Sequence, residues 1–146
     1  MRSISVSGHT ETPPSAVWSV LADFPNISSW NSGVKASHAT GDAAAGVGAT
    51  RHCDLAPLGA LEETVREWEP ERRMVVSIDE ARRLPMRSAT ATFSIEPDGD
   101  GSTVTIDYAY EPRIGAVGPL MDRQLTKGFT GFLADLDRAA RSRSAD

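Results

Sequence analysis

Arg51 and Glu63 are the two residues of this chain whose chemistry and spacing single them out. The turn residues Ala56 to Gly59 lie between them, and a hairpin folded there makes positions 51 and 63 or 64 near cross-strand neighbours. A guanidinium facing a carboxylate inside a protein is neutralised by it and keeps spare hydrogen-bonding capacity for a ligand carbonyl, carboxylate or phenol. At a frayed strand end both groups would stand in water instead, and the residues alone leave both arrangements open. Arg87, Tyr108 and Tyr110 are the other polar groups that strand parity turns to the same side. Two kinds of chemistry suit such a set. One is the orientation of a bound amphipathic molecule. The other is a reaction in which Arg51 or Arg87 stabilises an enolate while Glu63 or a tyrosine moves a proton.

Successive side chains along a strand point to opposite faces. In segment 87–96, Phe93 and Ile95 mark the inward side, which Arg87, Ala89 and Ala91 share. Val104, Ile106, Tyr108 and Tyr110 form the matching set in segment 102–110, as do Val47, Ala49, Arg51 and Cys53, and Leu61, Glu63 and Val65, in the strands before them. Alanines 49, 89 and 91 are small for a core. With Leu125 and Phe129 from the C-terminal helix they predict an apolar internal pocket of several hundred Å3, entered between loops 54–60 and 80–86. Ordinary hairpin connections remain the simpler reading of those two loops. Gly128 and Gly131 each cost about 1 kcal/mol relative to alanine inside a helix. They either make room for a ligand or permit close helix-to-sheet packing, the second being favoured. Trp18 and Trp30 are expected to be shielded, and Trp68, on the opposite parity to Val65, more exposed.

The elements that must position these groups follow from periodicity. Ile4 and Val6 alternate with serines in a first strand, and Pro13-Pro14 stops it before a short helix over 14–22. A second short helical segment is expected around Ile27 to Trp30. Strands follow at 33–39, 48–55, 60–68, 73–79, 87–96 and 102–110, the last two joined by the hairpin signal Asp98-Gly99-Asp100-Gly101. From Gly115 to Arg143 the pattern is one long amphipathic helix, with Leu125, Phe129, Phe132, Leu133, Leu136 and Ala140 in a single stripe. That stripe needs the inner face of the sheet as its partner, so the fold class is α+β, one domain.

Composition narrows the function. The chain has 146 residues, 40% of them apolar, which suffices for a core without metal or disulfide staples. Cys53 is the only cysteine. A net charge of -5 argues against nucleic acid, and Arg138, Arg141 and Arg143, interleaved with Asp135, Asp137 and Asp146, read as a solvated helix end. No membrane-spanning run or leader pattern is expected, and the cytoplasm is the expected compartment. His9, His38 and His52 are scattered, the Asp98–Gly101 run lacks the other ligands of a calcium loop, and no nucleophile elbow, P-loop or dinucleotide fingerprint occurs. Neither metal nor cofactor is expected, and no catalytic residue is assigned. The expected partner is a small hydrophobic ligand, bound by a monomer or homodimer.

Several phrases carry a family resemblance: Pro14-Ser15-Ala16-Val17-Trp18, Asp23-Phe24-Pro25, Trp30-Asn31, Gly46-Val47-Gly48, Glu67-Trp68-Glu69-Pro70 with Arg72-Arg73, and Glu96 through Thr103. Their order over nearly the whole chain resembles the START/Bet v 1-like helix-grip superfamily, in particular bacterial polyketide cyclase/dehydratase-like (SRPBCC) proteins. The resemblance implies seven antiparallel strands in a curved sheet, two short helices after the first strand and a long C-terminal helix. It implies binding of a lipid- or polyketide-like molecule in an internal cavity, with a cyclase or dehydratase activity, or a protein-interaction role like that of the chaperone activators, as alternatives. In the plant hormone receptors of the superfamily an interior glutamate stands before an Arg-Arg pair at the spacing of Glu63 to Arg72. A ligand-contacting lysine of those receptors falls near Lys35, which parity with Val34 turns outward here. The same comparison puts a gating loop at 54–60 and its latch at 80–86.

Overall fold

The computed structural model describes residues 1–144; Asp146, read above with the helix-end charges, lies outside the described residues. Strand β1 (Arg2–Thr10) is followed by helix α1 (Pro14–Ala22), with proline in the first turn, where no backbone N–H is needed. Ala16, Val17, Trp18, Val20 and Leu21 give α1 a buried face. A 3-10 turn (Phe24–Ser29) then leads into β2 (Ala36–Ala39) and β3 (Thr50–Asp54). Four long strands complete the sheet: β4 (Ala60–Glu69), β5 (Arg73–Arg82), β6 (Met86–Asp98) and β7 (Gly101–Pro112). After a short 3-10 turn at Gly115–Val117, α2 runs from Gly118 to Ser144.

All seven strands form one antiparallel sheet in the order β1-β7-β6-β5-β4-β3-β2. Consecutive strands from β2 to β7 are neighbours, and β1 closes on β7 with Arg2 opposite Tyr110 and Thr10 opposite Ser102. The β6–β7 hairpin pairs Asp98 with Gly101, leaving Gly99 and Asp100 at the turn; Gly99 takes φ 63°, which glycine adopts without a Cβ clash. Helix α2 lies over β1, β7 and α1, burying Phe132, Leu136 and Ala140, with Leu125, Phe129 and Leu133 half-buried beside them. The seven strands, the small helical elements after β1 and the gripping C-terminal helix are those expected. The differences are at the margins: β2 and β3 are shorter than 33–39 and 48–55, and the long helix begins with a 3-10 turn.

Two β-bulges overturn details of the parity reading. Between Met86 and Ser88 the register with β7 shifts, so Met86 takes the inward position and Arg87 is exposed on the other side. One extra residue reverses every facing before it. Arg87 is therefore no part of the interior. A second bulge, between Val65 and Glu67, sets Trp68 opposite the buried Met74, and Trp68 packs edge-on against Trp18 with ring centroids 5.0 Å apart. Trp68 is half-buried against the core, like Trp30, not turned away from it. Gly128 and Gly131 are both exposed, and a Cβ at either would meet nothing, so they serve neither ligand space nor close packing.

Candidate functional site

Arg51 on β3 and Glu63 on β4 stand directly opposite each other. Arg51 Nε donates to Glu63 Oε1 at 2.9 Å, and the two side chains are only 7% and 8% exposed. The pair is interior, and it is held from several sides. Arg51 Nη1 donates to the Phe24 carbonyl at 2.9 Å, and its guanidinium lies 3.8 Å from the centre of the Phe24 ring, a cation–π contact. Cys53 Sγ, two residues along β3 on the same face, donates to the same Glu63 oxygen at 3.1 Å. Burial, and then the charge of Glu63, pushes the Cys53 thiol up, so it stays protonated and unreactive. Among the described residues no hydrogen bond falls on Glu63 Oε2.

An aromatic layer surrounds this pair. Phe93 stacks on Phe132 at 5.6 Å, Trp30 meets Phe132 edge-on at 5.0 Å, and Phe129 sits 4.8 Å from Tyr108. Tyr108 donates its hydroxyl to Met86 Sδ at 3.1 Å; burial, then the Glu63 charge, pushes that hydroxyl up, leaving it a neutral donor. Tyr110 points to the other end of the interior, where it donates to Asp122 and to the Gly118 carbonyl. Ala89 and Ala91 are buried opposite Tyr110 and Tyr108 on β7, and opposite Ile78 and Val76 on β5, so each alanine is flanked by larger side chains.

The expected pocket of several hundred Å3 is not what lies beside Arg51. A void of about 10 Å3 is found there, lined by Arg51, Trp30, Phe93, Phe132, Met74 and residues of the α1 turn. Phe132, from α2, lines that void and stacks on Phe93, and Phe129 packs on Tyr108. Trp30 was not among the expected lining residues, and its indole Nε1 is a buried donor without a partner. The phrase Trp30-Asn31 carries it, but no periodic strand or helix pattern does, and so parity had nothing to say about it. Loops 54–60 and 80–86 lie against each other, with Ala60 paired to Arg82 and Leu55 N bonded to Gly59 O inside the first. Of the expected site residues, Arg51, Glu63, Ala89, Ala91, Phe93, Tyr108 and Tyr110 are buried, Leu125 and Phe129 half-buried, and Arg87 alone is outside.

The family model described as polyketide cyclase/dehydrase and lipid transport matches residues 1–141. The chain belongs to this family. Solved structures similar to this member include a START superfamily protein from Mycobacterium smegmatis, 14% identical with a TM-score of 0.82 over 96% of this chain and 97% of that one. A Thermobifida fusca protein is 21% identical, with a TM-score of 0.80 over 97% and 95% of the two chains. The protein Ara h 8.0201 is 10% identical, with a TM-score of 0.78 over 97% and 98%. At these identities the likeness is one of fold: START/Bet v 1-like, helix-grip. No curated protein matches the chain. Family and fold fit a hydrophobic ligand-binding domain, and the interior here is apolar and aromatic around a few polar groups. Among the described residues no helix is long and apolar enough to cross a membrane, and no three His, Cys, Asp or Glu are grouped to hold a metal ion.

Proposed function

We propose that this chain binds a hydrophobic or amphipathic small molecule under α2, its polar end at Arg51 and Glu63 and its apolar part in the aromatic layer. The observation that carries this reading is a buried charge pair with unused hydrogen-bonding capacity, bordered by a void and by the unpartnered Trp30 N–H. A void of about 10 Å3 holds one water at most. A ligand therefore enters by displacing Phe129 and Phe132, which α2 carries. Family membership supports the same class of ligand.

The test is titration with anilinonaphthalene sulfonate followed by displacement with a long-chain fatty acid. Saturable fluorescence is expected. The double variant Arg51→Met/Glu63→Met replaces the pair by apolar groups of similar size, a change that tends to be neutral for stability. It should weaken the acid at least about ten-fold, the worth of one charged hydrogen bond, while sparing neutral apolar probes. Absence of saturable uptake by both the wild type and Phe129→Ala would sink the reading. One observation favours a second reading, a proton-transfer reaction on a polyketide-like chain: Glu63 keeps one oxygen free near the neutral Tyr108 hydroxyl. Turnover lost in Glu63→Gln with binding retained would select it.

A further inference from the structure

Among the described residues five large apolar side chains are left in water; Met1 precedes β1, Val47 lies on the β2–β3 loop at the other end of β3, and the remaining three group together. Leu58 is 69% exposed, Ile114 64% and Leu120 55%, and all three stand at one end of the sheet. Leu58 is on the β3–β4 loop, and Ile114 and Leu120 are on the connection from β7 into the first turn of α2. The β5–β6 turn joins these two segments. A Cβ on Gly59 would clash with the Arg82 carbonyl, so the β3–β4 loop lies directly on that turn. Arg113 donates from its backbone to Pro85 O at 2.8 Å, and from its side chain to Leu84 O and Ala81 O, both at 3.0 Å, which fastens the β7 connection to the turn's other side.

This apolar end is also the basic end. Lys35, Arg83, Arg87, Arg113 and Arg123 make no ion pair with a carboxylate of the described residues. Here Asp122 is taken by Arg2, Glu80 by Arg82 and Glu62 by the His52 imidazole, which leaves Asp54 and Glu111 as the carboxylates without a partner among these side chains. At the far end the turns carry Glu69, Glu71, Asp98 and Asp100 against Arg72 and Arg73, and Arg73 is paired with Glu67. A chain of net charge -5 thus presents a basic face with protruding aliphatic tips. Arg83 stands at φ 62° in this turn, a left-handed position shared by Glu71 at φ 66° in the β4–β5 turn.

We propose that this end docks on an anionic phospholipid bilayer, with Leu58, Ile114 and Leu120 entering the headgroup layer and the free arginines facing the phosphates. Exposed aliphatic area together with cations is the combination that binds an anionic interface. Three tips on two separate segments suit a layer that accepts uneven relief, whereas a folded acidic protein would need a matched surface. The proposal goes beyond the ligand reading and does not depend on it.

Cosedimentation of the full chain with vesicles of phosphatidylcholine, with and without phosphatidylglycerol, tests it. Pelleting is expected with the anionic vesicles only, and it should fall as salt rises. Arg83→Glu should weaken it at least about five-fold, and Leu58→Ser/Ile114→Ser should remove what survives salt; both variants alter exposed residues, and unchanged melting would confirm that they fold. Equal pelleting with both compositions, indifference to Arg83→Glu, or no pelleting at all overturns the proposal, the last handing the face to an acidic protein partner. Elution at twice the monomer mass, reversed by Leu58→Ser, overturns it in favour of a second copy. The readout is separate from the fluorescence titration, so either idea can fail alone.

Discussion

Arg51 has two hydrogen-bonded partners, and Glu63 is the one that carries charge. Truncating that carboxylate leaves a guanidinium in an interior where water barely reaches. Glu63→Ala is therefore expected to lower stability by about 3 kcal/mol, the cost of breaking a buried pair, read as a shift in the denaturant midpoint. A loss below about 1 kcal/mol would put the pair in effect in water. The pairing was readable from the residues because a short turn and strand parity are both local rules, and they agree at positions 51 and 63. Arg87 shows where those rules stop. Nothing in Pro85-Met86-Arg87-Ser88 marks a bulge, yet one extra residue there puts Met86 inside and the arginine outside.

At the scale of elements, strands and helices could be located because each is long enough to show its period, and the errors sit where a period breaks. The link between β1 and α2 is a case that periodicity does not see. Arg2 and Tyr110 both donate to Asp122 on the first turns of α2, and these hydrogen bonds hold the Asp122 carboxyl below the usual carboxylate range. A carboxyl with a depressed folded pKa stabilises the fold above its unfolded value, near 4. That contribution is lost as the pH falls through the lower folded value. Between about pH 5 and about pH 2 the wild type should accordingly lose more stability than Asp122→Asn, measured by denaturant unfolding at each pH. Equal losses would mean that the clasp does not couple the strand to the helix.

Across the whole molecule, the hardest feature to read was the filling of the interior. Small residues at 89 and 91 suggested empty space, but each lies between larger neighbours on β5 and β7, and the approach of α2 is set by packing over β1 and α1 and by no rule of sequence spacing. Buried Ala91 lies between Val76 and Tyr108, so Ala91→Phe should overpack the sheet and cost about 1–3 kcal/mol by chemical denaturation. A phenylalanine accepted without loss would instead reveal a roomier interior than the one described.

The closing of β1 on β7 has a consequence for how the chain is made. Arg2 pairs with Tyr110, and among the described residues β7 is the only strand beside β1 in the sheet. Every other neighbouring pair joins strands consecutive in the chain, so those hairpins can form as each strand leaves the ribosome. Of these seven strands, the earliest in the chain is thus the last to find its partner. At roughly 10 residues per second, the alternating serines and aliphatics of β1 wait on the order of ten seconds as an unpaired edge. A nascent chain stalled before residue 101 has no partner strand for β1, and its N-terminal segment stays open to protease and to chaperone until β7 arrives.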